Sequence, residues 1–160
     1  MNTRVRLLAL VLALTGALLS VPSAVATGGH ETGRTAGHQR FLLLSNNAVK
    51  PGGILLGFGP IHARGTDKQI NGRTDRFVFP RGSVTIRHKR AGQANHFDKR
   101  TCYGTFSEHG TWKAVAGTGR YSQVSGGGKY RVHGDLVGCS QNNPPRLFQL
   151  QIHAAGPLSY

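Results

Sequence analysis

Proton chemistry in this sequence has to come from eight histidines and six carboxylates. His88 and Glu108 stand out by their phase. Val84 and Ile86 alternate with Thr85, Arg87 and Lys89, so the same period of two carries His88 onto the apolar, inward face. Glu108 follows Gly104 and Phe106 in one phase, near the end of its strand. An inward imidazole near a carboxylate is suited to general acid–base work on a bound molecule. The competing reading makes both rim residues, satisfied by water or backbone. His62, Phe58, Tyr103, Phe106 and Trp112 complete the candidate ligand-binding set. Their rings either line an apolar cavity or fill a core.

Other chemistries are disfavoured by spacing. Gly117-Thr118-Gly119-Arg120-Tyr121-Ser122 lacks the last glycine of a dinucleotide fingerprint, and Gly127-Gly128-Lys129-Tyr130 lacks the hydroxyl residue of a phosphate loop. His30-Glu31 has no second histidine at the zinc-protease spacing, and no serine sits in a nucleophile elbow. No two histidines are spaced to aim at one ion from one strand or helix turn, so neither a metal nor a cofactor is expected.

Those side chains are carried by a chain of 160 residues with 20 Lys and Arg against 6 acidic residues. Its length suits one domain, and 38% hydrophobic residues suffice for a core. Residues 1–26 read as a signal peptide: Arg4 and Arg6, the apolar run Leu7 to Leu19, then Ala24-Val25-Ala26. The run is too short for a membrane span. Secretion is therefore expected, to the extracellular space or cell wall. In that oxidising setting Cys102 and Cys139 are expected to pair, closing a loop for about 4 kcal/mol in the entropy model. Arg87, Lys89, Arg90, Lys99 and Arg100 form the densest basic run, with Arg73, Arg76 and Arg81 nearby. It would attract anionic surface polymers or lipid headgroups by counterion release. Without an ordered aromatic platform it gives no reason to expect a specific nucleic-acid partner. A plain solvated basic face is the alternative.

Residues 27–39 read as a flexible tail and 40–160 as the folded domain. No window sustains helical periodicity, and 23 glycines interrupt short runs rich in Val, Ile, Phe, Tyr and Thr. Eight strands are predicted: 40–45, 53–64, 76–79, 83–89, 100–108, 111–116, 129–137 and 146–155. Turns are expected at Phe79-Pro80-Arg81-Gly82 and at Glu108-His109-Gly110-Thr111. Even spacing of short strands leaves a closed barrel or a sandwich.

The stretch from Thr111 to Tyr130 is the most distinctive. Its Gly117-Thr118-Gly119-Arg120-Tyr121 core, followed by Ser125-Gly126-Gly127-Gly128-Lys129-Tyr130, resembles allene oxide cyclase and the plant dirigent proteins. Gly59-Pro60-Ile61-His62-Ala63-Arg64-Gly65 and Phe77 to Gly82 suit the same succession of strands. The resemblance implies an all-β fold, a single eight-stranded antiparallel β-barrel, with the glycine motif turning a tight corner between neighbouring strands. It also implies a cavity for a small apolar ligand, isomerase or cyclase-like chemistry, and a homotrimer. The catalytic residues of the plant enzymes have no match in this chain, so allene oxide cyclisation itself is not implied. The rival readings are a non-enzymatic cationic protein that binds anionic polymers or membranes, and a secreted structural protein.

Overall fold

The computed structural model describes residues 33–48, 52–140 and 143–160. The expected signal peptide and the first part of the expected tail lie outside the described residues. Eight antiparallel strands follow one another around a closed barrel: β1 (Ala36–Ser45), β2 (Gly53–Phe58), β3 (Ala63–Asn71), β4 (Thr74–Phe79), β5 (Gly82–Asp98), β6 (Tyr103–Gly117), β7 (Ser125–Val137) and β8 (Leu147–Ser159). β8 returns to pair with β1 from Ala36↔Ser159 to Ser45↔Leu150, which leaves no open edge.

Three expectations change. The tail is shorter than predicted, because Ala36–Gln39 already belong to β1. Gln39 is fully buried and acts as a strand partner in side-chain form: its Oε1 accepts the Ile61 N–H at 2.8 Å and its Nε2 donates to the Ile61 carbonyl at 3.0 Å. The predicted strand 53–64 is two strands, broken at Gly59, whose φ of 134° only glycine adopts readily. The predicted strands 100–108 and 111–116 are one continuous β6, with no turn at Gly110. There the missing Cβ admits the Lys89 backbone and the Tyr130 ring, so this glycine marks a close approach.

The hairpin β5–β6 turns at residues 99–102, where Asp98 accepts hydrogen bonds from the Arg100 N–H and the Thr101 hydroxyl at 2.8 and 2.9 Å. Cys102 and Cys139 are disulfide-bonded as expected, tying this turn to the chain beyond β7. The Pro80-Arg81 turn is also present.

One end of the barrel is solid. Phe41 meets Phe77 and Trp112 edge to face, with ring centroids 5.3 and 5.8 Å apart. Tyr121 packs edge to face on Phe79 at 5.9 Å and on Tyr160 at 4.9 Å. The glycine motif sets that plug in place. Gly119, at φ 59°, starts a short 3-10 turn ending at Tyr121, and Thr118 Oγ1 accepts the Ser83 N–H at 3.0 Å.

Candidate functional site

Toward the other end the same inward-facing positions stop filling the interior, and a cavity of about 450 Å³ remains. Its apolar wall includes Phe41, Leu43, Leu55, Phe77, Ile86, Trp112, Val132, Leu150 and Ile152. Phe106 and Phe148 stack beside it with centroids 6.4 Å apart. Beside the uncharged Ser45, Asn47 and Gln69, five ionisable side chains line it from five successive strands: Asp67 of β3, Asp75 of β4, His88 of β5, Glu108 of β6 and Tyr130 of β7.

Two linked pairs organise them. His88 Nε2 lies 3.4 Å from Asp75 Oδ2, which orients the imidazole. The Tyr130 hydroxyl donates to Glu108 Oε1 at 2.5 Å, and the His88 and Tyr130 rings meet edge to face at 5.7 Å, so the pairs are contiguous. Arg90, itself exposed, reaches Glu108 Oε2 at 3.6 Å from outside. Burial pushes the Asp75 carboxyl up, opposed by the charge of His88. Burial, the bond to Glu108 and its negative charge raise the Tyr130 phenol well above the usual tyrosine range, so it is a proton donor at neutral pH. Asp67 is pushed up to about 7, first by burial and then by the charge of Asp75.

His88, Glu108, Phe106 and Trp112 therefore share one cavity; the period of two anticipated this for His88 and aligned Phe106 with Glu108, but gave no phase for Trp112. Three other candidates do not join them. Tyr103 opens β6 on the outward face and donates its hydroxyl to Asp135 Oδ1 at 2.6 Å. Phe58 is 38% exposed at the end of β2, and His62 is exposed on the bend after it. Their rings meet edge to face at 6.2 Å outside the barrel, with the Arg40 guanidinium 5.8 Å from Phe58. Within β2 the inward phase belongs to Leu55 and Gly57, so Phe58 faces out, and the break at Gly59 leaves His62 between β2 and β3 rather than on a long second strand.

Asp67, Asp75 and Tyr130 were missed by the sequence reading. β3 reads Ala-Arg-Gly-Thr-Asp-Lys-Gln-Ile-Asn, with no apolar alternation to reveal it. The available signal was Asn71-Gly72, a hairpin dipeptide. It would have paired β3 with β4 and set Asp67 and Asp75 in the same inward phase as Phe77.

The outer face has a contrasting charge. Lys68 pairs with Arg76 across β3–β4, and Arg87 with Lys113 across β5–β6. Lys129 lies opposite Thr111, which itself lies opposite Lys89. Among the described residues none of these cations has an ion-pair partner. Likewise among the described residues, no group of three or more His, Cys, Asp or Glu is placed to hold a metal ion.

Comparison of the chain with protein-family models, with curated proteins and with solved structures returns no match.

Proposed function

We propose that this is a secreted barrel that binds a small, largely apolar molecule in the open half of its interior and rearranges it by general acid–base catalysis, as an isomerase or cyclase does. The observation that carries the reading is the combination of about 450 Å³ of apolar space with the Asp75–His88 and Tyr130–Glu108 pairs facing into it. A filled β-barrel core would have no room for these groups, and burying them without purpose is unfavourable. In the reaction His88, oriented by Asp75, takes a proton from one carbon of the ligand, and the Tyr130–Glu108 pair gives a proton to another position, so the ligand is isomerised with no change of oxidation state. His88 then loses its proton to water at the open end and the pair regains one from water, which resets the site. The signal-peptide pattern at residues 1–26 and the disulfide support an extracellular setting. The resemblance to allene oxide cyclase and dirigent proteins supports the same class of chemistry, and the trimer it implies is open to light scattering.

The test is retention of a small molecule by protein purified from its own source. Native mass spectrometry is expected to show a mass excess that disappears in Leu150→Trp, which fills the cavity. With the ligand identified, His88→Ala and Glu108→Ala are each expected to lower turnover at least about 100-fold. Unchanged turnover in both would end the catalytic part of the proposal.

A second reading has its own observation. The like charges facing each other at Lys68↔Arg76 and Arg87↔Lys113 are unfavourable unless an anion spans them. On this reading the outer wall of β3 to β7 binds an anionic polymer of the cell surface. Heparin retention that persists at physiological salt supports it, and elution below that salt contradicts it.

A further inference from the structure

We infer that the molecule taken into the cavity carries a protonated amine on an apolar body, with the ammonium group seated at Asp67 and Asp75; this rests on the cavity being a ligand site.

The argument begins from where the acids are. A chain with 20 basic and 6 acidic residues places three of those six, Asp67, Asp75 and Glu108, on the wall of one cavity. Two of the three are already engaged, Asp75 with His88 and Glu108 with Tyr130 and Arg90. Asp67 differs. Its half-buried carboxyl lines the cavity with no cation beside it: Oδ1 is turned away from solvent without a hydrogen-bond partner among the described residues, and the Lys68 backbone N–H bonds to the carboxyl. The flanking inward positions supply no cation for it: β2 presents Leu55, and β4 presents Phe77 opposite it and Asp75 on the diagonal. The ionisable groups further round the wall are His88 of β5, Glu108 of β6 and Tyr130 of β7.

A partly buried carboxylate without a counter-charge is unfavourable, and an ammonium group in the cavity supplies up to three donors and the opposite charge. The rings of Phe77, Trp112 and Phe41 offer faces on which such a cation or its apolar body can rest. An anionic ligand in the same place would add a like charge to a crowded acidic wall. Burial and the neighbouring Asp75 hold the Asp67 carboxyl at about 7, and a cation opposes both causes. Amine binding therefore expels a proton from Asp67 and weakens as the pH falls below neutrality.

The experiment uses three probes of one skeleton, phenylpropylamine, phenylpropanol and phenylpropionate. Binding is read by calorimetry and by the fluorescence of Trp112, the sole tryptophan and a cavity residue. At about pH 8 the amine is expected to bind at least tenfold more tightly than the alcohol, and the carboxylate more weakly than either. The preference is expected to fade toward about pH 5, with proton release near neutrality shown by calorimetry in buffers of different ionisation enthalpy. Asp67→Asn, nearly isosteric, is expected to bring the amine-to-alcohol ratio toward one. Equal binding of amine and alcohol by the wild type, or binding without proton release, overturns the amine inference and leaves the cavity as a site for neutral ligands. Failure of all three probes to bind overturns both readings.

Discussion

At one end of the barrel Phe79, Tyr121 and Tyr160 close ring against ring beneath a glycine corner. At the other, Asp67, Asp75, His88 and Glu108 face about 450 Å³ of unfilled space. The same strands run through both regions, with the same alternation of inward and outward side chains. The difference lies in which residues occupy the inward phase. Aromatic rings at the closed end bury area and hold the barrel together. Carboxylates and an imidazole at the open end leave the interior unpacked, and the long β5–β6 hairpin, tied at its turn by the Cys102–Cys139 bond, stands beside them. On the proposed function, stability and activity are separated along the barrel axis, so substitutions at the two ends should have different consequences.

The largest expected contrast is in packing. Phe79→Ala removes a side chain only 5% exposed and is expected to lower unfolding free energy by about 3–5 kcal/mol in urea titrations. Ile152→Ala, half-buried beside space that is already empty, is expected to lose only about 1–2 kcal/mol. Equal losses would break the division between the ends. Next is the covalent tie: replacing Cys102 and Cys139 together by serine is expected to cost about 2–4 kcal/mol. Hydrogen exchange in that variant should rise first in the β5–β6 hairpin, leaving the Tyr121 plug protected.

The pH dependence of stability sharpens the account of the open end. Burial and the charge of Asp75 push the Asp67 carboxyl up to about 7 in the fold, from an ordinary 3.8 in the unfolded chain. Below about pH 4 both folded and unfolded chains hold the proton, and its contribution to stability is fully present. As pH rises toward 7 the unfolded chain ionises first, and stability falls. Asp67→Asn should therefore be more stable than the wild type by about 1–2 kcal/mol above neutrality, after allowance for solvent screening, and should lose its advantage near about pH 4. A melting-temperature profile that is parallel for the two proteins would contradict the partly desolvated state of the Asp67 carboxyl beside Asp75. At the corner, Gly119→Ala forces a left-handed φ on a Cβ that would also lie 2.5 Å from the Arg81 carbonyl oxygen, so it should cost at least about 2 kcal/mol with no change in ligand binding.

The sequence showed most where apolar alternation is clean. Val84, Ile86 and His88 gave the phase of β5, and Phe148, Leu150, Ile152 and Ala154 that of β8, so the barrel and the inward His88 were both legible. Glycines misled in two directions. Gly59 ends a strand and was read through, whereas Gly110 is a crossing point and was read as a turn. The acidic half of the site was hidden because Asp67 sits on a strand with little apolar character. Polar residues that face a cavity look, in one dimension, like residues that face water. Gln39 was hidden for the same reason, since a polar side chain that replaces a strand partner carries no hydrophobic signal.

The most direct test of the central claim is a crystal structure of the protein purified from its own source. The account predicts electron density for a small organic molecule in the cavity, against Trp112 and within hydrogen-bond reach of the His88, Asp75 and Asp67 side chains. An interior closed by rearranged side chains, or holding only ordered water, would contradict it.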